Sequence, residues 1–159
     1  MRATSRAIVV LALAAGCALF SAAAFAKDDP QSGTWKMNAA KSKYSPGPGN
    51  KSMTLTIQAD ENGMKLQGDG TDAQDKPLHV EYEAKFDGKD YPAKVPDGDA
   101  VSLKRIDART IVVTQKKAGQ ATVKVTSKVS ADGKTRTSTF TGKNSEGKTV
   151  HNVVVYEKR

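Results

Sequence analysis

Residues 78–86 read LHVEYEAKF, and an apolar side chain alternates with a polar one at every step of this stretch. The apolar positions are Leu78, Val80, Tyr82, Ala84 and Phe86. Because successive side chains of a β-strand point to opposite faces, this alternation predicts a strand with one buried and one solvated face. Residues 53–57 and 121–129 repeat the same period.

Short turn signals, most of them containing Gly, Asn or Asp, separate segments rich in Thr, Val, Ile, Tyr and Phe. They lie at residues 61–63, 73–75, 87–88, 97–98, 107–108, 118–119, 132–133 and 146–147. Such residues supply the positive φ of tight hairpins, and the segments between them have strand composition. The turns predict nine strands after Lys51, and residues 33–37 add a tenth.

A sheet of about ten strands joined by short hairpins would have two exposed edge strands, and closing the sheet into a barrel pairs these edges with each other. We therefore predict an all-β fold, an up-and-down antiparallel meander barrel that is nearly helix-free. A β-sandwich is the alternative, but a Greek key needs long crossing connections. The long connection at residues 38–50 contains the run Ser-Pro-Gly-Pro-Gly and is expected to be a loop.

The first 26 residues have the pattern of a signal peptide. Arg2 and Arg6 precede the apolar run 7–20, and residues 24–26 are Ala-Phe-Ala, a small-x-small cleavage pattern. We predict a signal peptide at residues 1–26, a barrel domain at 27–159 and a periplasmic or secreted location. A membrane anchor is the alternative, although a span needs about 20 predominantly apolar residues.

The single cysteine, Cys17, follows Leu-Ala-Ala-Gly inside this apolar run, which leaves an acylated lipoprotein as a second alternative. Acylation sites usually carry a larger aliphatic residue where this chain has Ala14, and a polar tether usually follows them. Cleavage after Ala26 leaves no cysteine, which excludes a disulfide and a thiol nucleophile.

The charge of the chain is basic but dispersed. Removal of Arg2 and Arg6 lowers the 25 basic residues to 23 against 17 acidic ones, a net charge of about +6. No Arg-rich cluster interleaved with aromatic residues is present, so we expect a solvated exterior and no nucleic-acid partner. We further expect a monomer without a transmembrane segment in the mature chain.

The two ends of the predicted barrel carry short motifs, Gly-Thr-Trp-Lys at residues 33–36 and Val-Tyr-Glu-Lys at 155–158. With these motifs the chain resembles the calycin group of lipocalins and fatty-acid-binding proteins, and as a whole it resembles exported bacterial lipocalin-like proteins. The resemblance implies that Trp35 closes one barrel end against a cation from the last strand, either Lys158 or Arg159.

Two departures from fatty-acid-binding proteins concern the ligand. In that family an arginine two positions before the closing tyrosine helps to hold the ligand carboxylate, whereas Val154 precedes Tyr156 here. The usual carboxylate anchor is therefore absent. The two-helix lid of that family is also absent, because residues 38–50 are too few and too rich in Pro and Gly to form it.

No pattern supports catalysis, a metal or a cofactor. The two histidines are His79, on the polar face of its strand, and His151, on a strand apolar on both faces. Glu81 and Glu83 also lie on a polar face, where a solvated exterior is the simpler reading. Phosphate loops, nucleophile elbows and helical His pairs do not occur in the sequence.

The strand predicted at residues 134–143 is polar on both faces. Thr135, Thr137, Thr139 and Thr141 alternate with Arg136, Ser138, Phe140 and Gly142. In a closed barrel one of these sets points inward, where buried polar groups need partners or water. A ligand pocket near Arg136 would satisfy them, and an edge strand exposed on both faces is the alternative.

Two functions therefore remain. In the first, the barrel binds a small amphipathic or apolar molecule. Its cavity wall is formed by Tyr82, Phe86, Phe140 and Tyr156, with Arg136 or Arg105 giving polarity. In the second, a barrel with a filled interior engages a protease, polysaccharide or protein of the cell envelope through its exterior. A connected cavity of roughly 300 Å³ or more would favour the first.

Overall fold

The computed structural model describes residues 29–159, and the predicted signal peptide with Cys17 lies outside them. The strands are β1 (Gly33–Met37), β2 (Ser52–Ala59), β3 (Gly63–Thr71), β4 (Pro77–Lys85), β5 (Asp90–Val95), β6 (Gly98–Asp107), β7 (Thr110–Lys117), β8 (Gln120–Val129), β9 (Thr135–Lys143) and β10 (Thr149–Lys158). Within this range the single helical element is a 3₁₀ turn at Ala39–Lys41. No helix of residues 29–159 is long and apolar enough to cross a membrane.

Each strand pairs antiparallel with the next, and β1 closes the barrel by pairing with both β2 and β10. At this seam Trp35 lies opposite Leu55 on one side and Lys158 on the other. The predicted ten-strand meander barrel is confirmed, and each of the eight predicted turns overlaps a connection between consecutive strands from β2 to β10.

The alternation in the sequence decides which side chains fill the barrel. On β2, Met53, Leu55 and Ile57 are buried while their neighbours are exposed. On β9, Arg136 and Ser138 are buried while the threonines point outward and keep partial exposure. The apolar side chains form one continuous core inside the barrel.

Because the strands alternate in direction, their connections fall at two opposite ends. The end that we call the closed end contains residues 29–32 and the hairpins at 60–62, 86–89, 108–109 and 130–134. The other end, the mouth, contains residues 38–51 and the hairpins at 72–76, 96–97, 118–119 and 144–148.

Residues 42–50 form a strap across the mouth. Its first part extends the sheet along the edge of β10 that β1 leaves free, because Lys43 pairs with Val153 in an antiparallel bridge. Beyond it, the Ser45 amide donates to Asn152 Oδ1 over 2.9 Å. Gly49 lies so close against the ring of Tyr44 that a Cβ there would overlap it. The strap therefore covers the mouth as an irregular segment and not as a pair of helices.

Candidate functional site

A cavity of about 300 Å³ extends from the mouth into the barrel. The strap contributes Tyr44, Pro46, Pro48, Gly49 and Asn50 to its lining. The apolar wall residues are Met53, Leu55, Leu66, Leu78, Val80, Val95, Val113, Val125, Phe140, Val150 and Val154. The polar residues along it include Tyr82, Gln115, Ser127, Arg136, Ser138, Asn152 and Tyr156. Four of the six predicted ligand-binding residues, namely Tyr82, Arg136, Phe140 and Tyr156, thus meet around one cavity.

Arg136 lies at the inner end of this cavity and is only 2% exposed. Its Nη1 donates to Gln31 Oε1, whereas its Nε has no hydrogen-bond partner among residues 29–159. Within the same range it forms no salt bridge with a carboxylate. Burial lowers the pKa of Arg136 from its ordinary value, but a guanidinium remains protonated at neutral pH. The cavity therefore ends on a cation whose hydrogen-bond partner is neutral.

Tyr82 and Tyr156 supply phenol groups beside this guanidinium. Burial raises the pKa of Tyr82 to about 12, and the nearby Arg136 charge opposes the shift. Burial also raises the pKa of Tyr156, with Tyr44 contributing and Arg136 opposing. Both phenols are neutral near pH 7 and can donate a hydrogen bond to an anion beside Arg136.

The structure differs from the sequence interpretation for Phe86 and Arg105, which do not line the cavity. Phe86 directly follows the last residue of β4 at the closed end, and β6 brings Arg105 to the same end. The guanidinium carbon of Arg105 lies 4.3 Å from the centroid of the Phe86 ring. Arg105 Nη2 also donates to Asp29 Oδ2 over 2.7 Å and to the Asp60 carbonyl over 2.8 Å. These contacts assign both residues to the closure of the barrel.

Trp35 closes the same end from the seam. The ring is fully buried, and its Nε1 donates to the Gln31 carbonyl over 3.0 Å. Lys158 Nζ lies 5.2 Å from the ring centroid. Arg159 is exposed and donates its backbone amide to the Thr34 carbonyl. Of the two cations considered, Lys158 is the one over the ring.

Sequence reasoning missed Gln31 and Gln115. Gln31 is fully buried, and its Nε2 donates to the Arg109 carbonyl over 2.8 Å while its Oε1 accepts from Arg136. It precedes the first strand, so no periodic pattern could place it inside. Gln115 continues the inward period of Ile111 and Val113, a signal that was available.

The histidines lie outside the cavity. His79 is exposed between Asp69 Oδ1, at 2.8 Å from its Nδ1, and Glu81 Oε2, at 3.2 Å from its Nε2. These hydrogen bonds raise the pKa of His79 above its ordinary value of 6.5. His151 is exposed on β10. Residues 29–159 contain no group of His, Cys, Asp and Glu side chains that could hold a metal ion.

Neither protein-family models nor curated protein sequences give a match to this chain. Among solved structures, the barrel is similar to zebrafish ileal bile acid-binding protein complexed with cholic acid, with a TM-score of 0.51. The similarity covers 82% of this chain and 99% of that chain at 10% sequence identity. At this identity the likeness concerns the fold alone. The chain thus shares the closed ten-strand barrel architecture with this solved structure.

Proposed function

We propose that this barrel binds a small amphipathic anion, with the anionic group at Arg136 and the apolar part between the barrel walls. The observation that carries the proposal is a cavity of about 300 Å³ that ends on a buried guanidinium. A volume of this order is typical of small-molecule sites. It supports a binder over a barrel with a filled interior.

The energetics of Arg136 favour an anionic ligand. A buried charge without a salt bridge costs several kcal/mol, and Gln31 offers Arg136 only a neutral oxygen. The charge of Asp29 acts on Arg136, but this carboxylate pairs with Arg105. An anion at the guanidinium would give Arg136 the direct salt bridge that it lacks among residues 29–159, in addition to the charge of Asp29. Tyr82 and Tyr156 line the same cavity, and their neutral phenols are donors available to such an anion.

The structural neighbour adds independent support. That protein is solved with cholic acid, an acid of amphipathic character, in a barrel of similar fold. The proposed site differs from that of fatty-acid-binding proteins, because Val154 stands where that family has an arginine and the arginine of the present site, Arg136, lies on β9.

Titration with anilinonaphthalene sulfonate, an anionic amphipathic fluorophore, tests the proposal. Arg136→Met should weaken binding about 10- to 150-fold, which corresponds to about 1.5–3 kcal/mol for a hydrogen bond to a charged group. Arg109→Met is the matched control, because Arg109 is an exposed arginine at the closed end. Equal affinities of the wild type and Arg136→Met would contradict the proposed site.

We also infer that the protein is exported and acts in the periplasm or outside the cell. The charged amino terminus, the apolar run and the Ala-Phe-Ala pattern of residues 1–26 support this. The intact mass of protein isolated from its native host should correspond to a chain that begins at Lys27. A mass that corresponds to a chain beginning at an acylated Cys17 would contradict cleavage after Ala26 and would identify the protein as a lipoprotein.

A further inference from the structure

The cavity carries more polar groups on one side of the barrel than on the other, although Val113, Val125 and Phe140 also line the more polar side. Strands β7 to β9 contribute Gln115, Ser127, Arg136 and Ser138, a set that we call the polar wall. In the closed order of ten strands, β8 and β9 lie five positions from β3 and β4 and so face them. The residues of β2 to β4 that line the cavity are apolar, apart from the phenol group of Tyr82.

Gln115 is a buried amide without a complete set of partners. Its residue is 7% exposed, and its Oε1 is buried with no hydrogen-bond partner among the described residues. The pairing of β7 with β8 is irregular between Thr114 and Lys116, at the position of Gln115. Buried polar side chains are normally paired, so an unpaired amide in a cavity wall indicates a group that a ligand satisfies.

Ser127 and Ser138 extend the polar wall between Gln115 and Arg136. Their hydroxyl oxygens are 2.7 Å apart, and both residues are at most 3% exposed. When one hydroxyl donates to the other, the accepting hydroxyl keeps a proton of its own. The polar wall therefore continues from the cation towards the mouth.

The strand register gives the spacing along this wall. Arg136 lies opposite Val129, and Thr114, which precedes Gln115, lies opposite Lys124, so Gln115 is more than five residues from the level of Arg136 along β8. Five residues of a strand span roughly 17 Å. A ligand that reaches both Arg136 and Gln115 must carry two polar groups well separated along its length.

We propose that the ligand carries a hydroxyl or amide group remote from its anionic group and that Gln115 binds it. This inference rests on the proposed function, because it takes the anion to be at Arg136. A primary amide both donates and accepts, so a hydroxyl or an amide of the ligand can pair with it. The preferred ligand class is a long amphipathic anion with a second polar group, and a straight-chain acid with one polar end is disfavoured.

The test compares stearate with 12-hydroxystearate, two acids of equal chain length, by displacement of anilinonaphthalene sulfonate. The wild type should bind the hydroxylated acid about tenfold more tightly, the effect of one added hydrogen bond. Gln115→Met should abolish this preference and leave the affinity for stearate unchanged or higher. Gln67→Met, at an exposed glutamine on the outer face of β3, should keep the preference.

Equal binding of the two acids by the wild type would overturn the inference, and so would an equal loss for both acids in Gln115→Met. The wild-type comparison decides the question even if Gln115→Met fails to fold. Arg136→Met separates the two proposals, because it should lower the affinity for both acids by the same factor. If both acids bind Arg136→Met as tightly as the wild type, or if the wild type binds neither acid, the proposed function is contradicted as well.

Discussion

Two arginines, Arg105 and Arg136, lie near the closed end of this barrel, and their surroundings differ. Arg105 at the closed end stacks on Phe86 and pairs with Asp29 at 2.7 Å. Arg136 at the inner end of the cavity has the neutral Gln31 as its hydrogen-bond partner, and the Nε of each arginine lacks a partner among the described residues. Arg105 has a carboxylate in direct contact, whereas the charge of Arg136 has no such contact and is left for a ligand to pair with.

The largest expected effect concerns the closed end. Trp35→Ala should lower the free energy of unfolding by about 3–5 kcal/mol, the range for removal of a large buried aromatic side chain. Trp35 is fully buried and joins the seam to Gln31 and Lys158. Urea denaturation measures the change. A loss below about 1 kcal/mol would show that the closed end does not depend on this ring.

The comparison of the two arginines can be tested directly through stability. Arg105→Met should lower the free energy of unfolding by about 1.5–3 kcal/mol, because the Asp29 carboxylate, with its side chain 11% exposed, loses its cation. Arg136→Met should lower the free energy of unfolding less than Arg105→Met, because the removal of a buried charge without a salt bridge offsets the loss of the donor to Gln31 Oε1. Denaturation of both variants in parallel measures the contrast. A loss at Arg136 equal to that at Arg105 would make both arginines structural.

The smallest effect concerns the exterior, where a charge cluster is exposed to solvent. Hydrogen bonds from Asp69 and Glu81 raise the pKa of His79 above 6.5, so its ion pairs stabilise the fold fully below that value. This contribution is lost as the pH rises through the raised pKa. Titration of His79 by NMR should show the raised pKa and its decrease in Asp69→Asn and Glu81→Gln. An unchanged pKa in both variants would exclude the two carboxylates as its cause.

Much of the fold could be predicted because its signals are local. The period of residues 78–86 and the turn signals depend on backbone geometry within a few residues, and the structure follows them from β2 to β10. The same reasoning predicted that Arg136 and Phe140 share one face of their strand, and the structure decides that this face points inward. The strap and residues 29–32 at the closed end have no alternating pattern of polar and apolar side chains, so their contacts could not be predicted.

The sequence by itself determined the strands, their turns and which side chains share a face, because these depend on the local period, and it favoured a closed meander because closure removes the exposed edges. Only the tertiary structure decided which polar groups find partners. Arg105 meets Asp29 from 76 residues away, and Arg136 meets Gln31 from 105 residues away. Both arginines lie on strands whose side chains alternate between the two faces, and no feature of the neighbouring sequence distinguishes them. Closure of the barrel gives Arg105 a carboxylate in direct contact, whereas the hydrogen-bond partner of Arg136 is an amide oxygen and Asp29 acts on it only through its charge. This difference makes one a structural contact and the other a candidate binding site.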